Sequence, residues 1–359
     1  MYDFIVKEIL TNYPLVSTKN DGTTYGKFNK WAGLTLLAKM YLNAGVYTGT
    51  PAWDKCKAIC DTIINATGVT KIALESTQKN VFVTANQNSK EIIFALPFNS
   101  KYVSEWNSFD VHMQTLEPEN QATYNLMFSP WGGVCAIPQF INTFDTTDAR
   151  YVDNYIKYQQ YAANGDKLIA TMGDFTGKPL SYRNYVPGVD FSNEVDGFRL
   201  GKFEIAMGAT NRLSNHWPLF RYADVLMMKA ECLLRTGDAP GAAALVTQVR
   251  QRNFKSNPAK AIVTGADLLQ GSRYDYGLQN HLAPFTHEGG ADIQYGRFLD
   301  ELGLEFNQEA RRRPDMIRFG MFTKKSWLSH SPNGDYRALF PIPRTEIAKN
   351  SNLTQNTGY

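Results

Sequence analysis

The chain has 359 residues, enough for one large domain or two, and for a core that needs neither metal nor disulfides. Hydrophobic residues at 43% and charged residues at 20% exclude a disordered chain. Lys+Arg at 37 against Asp+Glu at 34, a net charge of +3, leaves no footprint for nucleic acid, and the densest basic spot is only Arg311–Arg313. The first predicted helix covers 27–44: Trp31, Leu34, Ala38, Tyr41 and Leu42 share one face at period 3.6, and Gly45 is the expected stop. A second helix follows to Gly68, with Thr50 as its N-cap, Pro51 at the first helical position, and Trp53, Cys56, Cys60 and Ile63 as its stripe. Cys56 and Cys60 are expected as small buried apolar residues; the four cysteines form no C-x-x-C pair.

Residues 69–216 differ in character, being rich in Asn, Gln, Thr, Gly and aromatics. Strands are expected at Glu91–Phe98 and Phe198–Ile205, a short helix near 148–158, and loops elsewhere. A loop region this long is usually functional or disordered, and its aromatic content argues against disorder. The helical hairpin then recurs. Residues 218–236 carry Leu219, Tyr222, Leu226, Ala230, Leu233 and Leu234 and end at Gly237; Asp238 opens the next helix through Ala242, Leu245, Val249 and Arg252. Placing Gly45 on Gly237 puts Ala38 on Ala230 and Tyr41 on Leu233, the small-and-large spacing of tetratricopeptide-like repeats. Two such units are too few to stack alone, so further helices are expected to complete the scaffold. One is 292–319, with Ile293, Phe298, Leu302 and Phe306 on one face and an interruption at Pro314. The tail 339–359 reads as extended or turn-like. No apolar run reaches the roughly 18 residues of a membrane span, and Asp3, Lys7 and Glu8 break up the opening residues, which do not read as an export signal.

No G-x-S-x-G, H-E-x-x-H, Walker or G-x-G-x-x-G motif occurs. His281, His287 and Glu288 have no spacing that favours a metal, and carboxylate pairs such as Glu117 with Glu119 fix no separation. No catalysis and no cofactor are expected. The informative feature is a set of rings in polar, turn-rich context: Tyr102, Trp106, Phe109, Tyr124, Phe128 and Trp131, interleaved with Asn107, Asp110, Gln114 and Asn125. Sugars offer C–H faces that stack on flat rings and hydroxyls that need amide or carboxylate partners. Trp106, beside Asn107, and Trp131, followed by Gly132 and Gly133, are the expected carbohydrate platforms, with Tyr102 and Tyr124 as further members and Asn107 as a hydrogen-bonding partner. Each ring competes with a core role, and Trp31 and Trp53, on helix stripes, are assigned to the core.

The stretch Trp217-Pro-Leu-Phe-Arg-Tyr-Ala-Asp-Val-Leu-Met-Met-Lys-Ala-Glu231 resembles the central signature of the SusD/RagB family, nutrient-binding outer-membrane lipoproteins of Bacteroidetes. Glu301-Leu-Gly-Leu-Glu-Phe-Asn-Gln-Glu-Ala-Arg311 and Asp315-Met-Ile-Arg318 resemble its next signature, with Ala310 where the family usually has Gly. The tail from Leu339-Phe-Pro-Ile-Pro343 to Tyr359 is similar to its C-terminus. The resemblance implies a mainly α, tetratricopeptide-like helical-repeat scaffold with long loops and a few short strands. Residues 1–68 would be an N-terminal helical part lacking the front of the family architecture, and 69–359 the family's C-terminal region, packed with it as one unit. It implies non-catalytic binding of an oligosaccharide or polysaccharide on the outward face of the outer membrane, and delivery to a TonB-dependent (SusC-like) transporter. Membrane attachment would come only through a lipid anchor that this chain lacks, and nucleic acid would play no part. A peptide-binding member and a ligand-free protein-interaction scaffold are the alternatives. Arg221 and Glu231, inside the signatures, are expected to be scaffold contacts.

Overall fold

Two helical hairpins packed side by side make the frame of the molecule in this computed structural model, which describes residues 1–66, 70–103, 108–281 and 283–359. The Lys30–Leu42 helix opens at Asn29, whose side chain accepts the amides of Trp31 and Ala32 and so satisfies two of the helix's free donors. Its stripe of Trp31, Leu34, Ala38, Tyr41 and Leu42 is buried, as the periodicity predicts. The stop differs from the expected one. The helix ends at Leu42, where the Asn43 side chain donates to the Lys39 carbonyl, and Gly45 lies inside a further short helix, Ala44–Thr48. That short helix closes on Gly49, at φ +77°. The next helix, Trp53–Ile64, starts later than expected and has Ala52, not Thr50, at its N-cap; the Thr50 amide bonds the Thr48 hydroxyl. Gly68 lies outside the described residues.

The second hairpin starts later than its pattern suggests. Trp217–Arg221 is a strand, paired antiparallel with Ile92–Leu96, so the expected helix from 218 begins only at Tyr222. Leu219 consequently faces solvent, while Phe220 and Arg221 are buried. In the Tyr222–Arg235 helix Leu226, Ala230 and Leu234 are buried, whereas Leu233 is only half-buried. Gly237, at φ +94°, ends the turn, and the Asp238 side chain caps the Ala239–Gln251 helix through the Gly241 amide. The Tyr222–Arg235 helix is shared by two core clusters. One face packs Val225, Met228 and Cys232 against Trp31, Leu34, Cys56 and Cys60. The other packs Leu226, Ala230 and Leu234 against Ala242, Val246, Phe298 and Leu302.

Gly296–Phe306 is buried along its whole length. The chain breaks after it not at Pro314 but over Asn307–Arg311, where Gln308 and Ala310 take φ of 61° and 56°. Pro314 lies in the first turn of the Arg312–Arg318 helix, where a missing N–H costs nothing. Two other expectations shrink. The Phe198–Ile205 strand reduces to Arg199–Leu200, paired with Tyr155–Ile156, and the 148–158 helix reduces to Ala149–Asp153, capped by Asp148. The tail contains a short helix, Arg344–Lys349, where extended or turn-like chain is expected. Among the described residues no helix is long and apolar enough to cross a membrane.

Buried charge ties these pieces together. Arg221 bonds Glu91, Glu305 and Glu309, Arg252 bonds Glu91 and Glu305, and Arg150 bonds Asp148 and Glu305. Glu231 pairs with Arg235 and Arg318, and Asp224 with Lys39 and Arg311. Arg221 and Glu231 therefore act within the scaffold, and the charged signature residues are its internal struts.

Candidate functional site

The short helix Val111–Thr115 supports the exposed Trp131. Its inner side chains, His112 and Met113, are buried, and His112 Nε2 sits 2.8 Å from the Thr210 carbonyl. On its other side three backbone bonds staple the following loop. The Trp131 amide donates to Met113 (2.7 Å), the Gly132 amide to Leu116 (2.9 Å) and the Val134 amide to Gln114 (2.9 Å). The Trp131 backbone is thus fixed, while the residue is 59% exposed. Gly132 has φ +76°, and a Cβ there would lie 2.8 Å from Glu117 Oε2. Only glycine lets the loop close over that carboxylate.

Beside Trp131 opens a hollow of about 600 Å³. Gly132, Gly133 and Cys135 form one wall, Val186 and Val189 another, and Glu117, Glu194, Asp196 and Arg199 line its polar part. Glu117 Oε1 accepts from Arg199 Nη2 at 2.6 Å, and the same Nη2 donates to the Glu194 carbonyl. The Arg199 guanidinium also lies 4.7 Å from the Tyr182 ring. Glu194 Oε1 accepts the Met172 amide, and Asp196 accepts from Arg183 and from the Asn193 amide. Burial pushes both Glu117 and Glu194 above the ordinary carboxylate range, with Arg199 opposing the shift. An exposed ring on a fixed backbone, beside carboxylates that can accept hydrogen bonds from hydroxyls, suits a polyhydroxylated ligand.

Two other predicted site residues, Tyr102 and Tyr124, lie elsewhere. Tyr102, 77% exposed, sits on a turn held by the Ser100 amide on Ser214 Oγ and by Arg212 Nη1 on the Val103 carbonyl. Tyr124 is half-buried and its carbonyl accepts the Gly208 amide. Neither lines the Trp131 hollow. Trp106 and Asn107 lie outside the described residues. Phe109 is core, edge-on to Phe203 and Trp217. Glu194, Asp196 and Arg199 escaped the sequence analysis because they reach Trp131 only through the fold; Glu117 was visible as one of many carboxylates, with no reason to prefer it. A smaller, more apolar cavity of about 230 Å³ lies among Phe140, Tyr274, Tyr276 and Trp327. Its polar members are committed: Asn307 to the Leu304 carbonyl, Gln308 to Asn154 and Lys202, and Arg312 to the Leu299 carbonyl. It therefore offers less to a hydroxyl-rich ligand. Among the described residues no group of three or more His, Cys, Asp or Glu side chains is placed to hold a metal ion.

A model of the SusD family matches residues 90–359. The starch-binding protein SusD of Bacteroides thetaiotaomicron is 24% identical over a 383-residue alignment that covers 93% of this chain and 61% of that protein; the chain thus spans about three-fifths of this relative's length. Among solved structures, surface glycan-binding protein A from Bacteroides thetaiotaomicron in complex with laminarihexaose superposes with a TM-score of 0.68 at 16% identity, over 99% of this chain and 70% of that one. A SusD-like protein from Bacteroides fragilis gives 0.68 at 18% identity, over 100% and 70%. These likenesses establish a shared fold.

Proposed function

The chain belongs to the SusD family, and from that premise we propose that it binds an oligosaccharide without altering it and delivers it to a TonB-dependent, SusC-like transporter at the outer face of the outer membrane. The names of its relatives speak of binding: starch for one, laminarihexaose held by another. The observation that carries the reading is the exposed Trp131 ring on a backbone stapled beside a hollow lined with carboxylates. The ring offers a face for sugar C–H groups, and Glu117 offers an acceptor for a hydroxyl. A surface fixed in advance loses little entropy on binding, so a weakly attractive polar ligand is still held.

Tyr102 and Tyr124 belong to this proposal as contacts of an outlying length of glycan, and Trp106 and Asn107 as the ring and amide to be tested by substitution. The test is a glycan array on the purified chain, followed by titration calorimetry of the best hit. Binding of neutral or charged oligosaccharides supports the reading. Binding of peptides with no glycan bound would favour the peptide-binding alternative.

A further inference from the structure

The Trp131 hollow carries more negative than positive charge. Glu117, Glu194 and Asp196 line it against Arg199. The groups behind them leave the balance unchanged: Glu119 adds a carboxylate acting on Glu117 and Glu194, and Arg183 adds a guanidinium on Asp196. Arg199 is 2% exposed, its Nη2 is spent on Glu117 and the Glu194 carbonyl, and its Nε is sealed from solvent.

One acceptor is left over. Glu117 is 5% exposed and gives Oε1 to Arg199. Its Oε2 lies directly under Gly132, has no hydrogen-bond partner among the described residues, and is not among the sealed atoms, unlike the unpaired Glu194 Oε2. Open to the hollow, it is free to accept from a donor that a ligand brings. An ionised carboxylate only accepts, so the matching ligand group is an O–H or N–H donor. A carboxylate or sulfate brought to the same place would sit within the Debye length of about 8 Å of several like charges.

We infer that the Trp131 hollow selects glycans that present hydroxyls and excludes those that carry carboxylate or sulfate groups, with Glu117 as the accepting residue. This rests on the hollow being the glycan site. The experiment compares neutral α- and β-glucans, xylans and mannans with oligogalacturonates and sulfated chondroitin hexasaccharides on one array. Calorimetry of the hits then uses the parent chain and Trp131→Ala, Glu117→Gln and Glu194→Gln. We expect neutral glycans to bind at least tenfold more tightly than acidic ones. Glu117→Gln should weaken the neutral ligand about tenfold, read at a temperature where the variant is still folded, since Arg199 loses its charged partner. If loss of the Arg199 partner unfolds that variant, Glu194→Gln, which keeps an oxygen for the Met172 amide, reads the charge alone and should bind acidic glycans more tightly than the parent. Acidic glycans bound as tightly as neutral ones, with the binding abolished by Trp131→Ala, would overturn the charge inference and leave the glycan site standing. No glycan bound, or binding indifferent to Trp131→Ala, would overturn the site itself and the inference with it.

Discussion

Arg221 Nη1 lies 2.8 Å from Glu305 Oε1, and both side chains are almost wholly buried. The contact joins the Trp217–Arg221 strand to the Gly296–Phe306 helix, and so joins two sequence signatures that lie 84 residues apart. Its role is cohesion. Removing one member of a buried, hydrogen-bonded charge cluster leaves the others uncompensated, which typically costs about 3–5 kcal/mol. Arg221→Ala should lower stability by that amount in chemical denaturation. A loss below about 1 kcal/mol would mean that the cluster is not a strut.

Buried ion pairs in this cluster and beside it fix the acid response. Burial works against the charge of Glu301, but Arg297, Arg250 and Arg150 outweigh it and hold its pKa at about 2. Burial likewise opposes Asp224, and Arg311 and Lys39 hold it at about 2; Glu305 is held well below the ordinary range by Arg252, Arg221 and Arg150 against burial. These folded-state values lie below the unfolded ones, near 4, so the folded chain binds fewer protons than the unfolded chain in that window. Their stabilisation is complete above about pH 5 and disappears as the pH falls toward 2. The denaturation midpoint should therefore drop steeply between those limits; a flat profile from pH 5 to 3 would contradict the assignment.

Ala310 sits at φ 56°, a conformation costly for any residue with a Cβ. This gives a physical reason for the glycine that the resemblance leads one to expect there. Ala310→Gly should raise stability by about 0.5–1 kcal/mol, the strain relieved less the extra freedom of the unfolded glycine. A destabilised variant would show that the position tolerates Ala without strain.

How much was legible in the sequence follows from range. The helix stripes of Trp31–Leu42 and Leu226–Leu234 were readable because helical periodicity is local. The strand at Trp217–Arg221 was not, since its partner Ile92–Leu96 lies far along the chain and its burial alternates only once paired. Leu233 shows the same limit: it carries the repeat spacing but is half-buried, whereas Leu234 beside it is buried. Trp131, expected as a platform beside Gly132 and Gly133, is exposed, yet Glu117, Glu194 and Arg199 come to it from three separate segments that no spacing connects.

We propose that residues 1–68 and 69–359 unfold together, because Trp31, Leu34, Cys56 and Cys60 share a cluster with Val225, Met228 and Cys232. Leu234→Ala should cost about 2–5 kcal/mol and Leu233→Ala markedly less. Both should shift a single calorimetric transition. Two resolved transitions, one of them indifferent to Leu234→Ala, would divide the chain into separate units.

The central claim is most directly tested by calorimetry of Trp131→Ala against the best neutral glycan from the array, with the melting temperature measured on the same sample. The ring is exposed and its backbone is held by bonds that the substitution keeps. Affinity should fall by about 1–3 kcal/mol, the range for truncating an interface anchor, while the melting temperature stays within error of the parent. A variant that folds normally and binds as tightly as the parent would place the glycan site away from Trp131 and contradict the account.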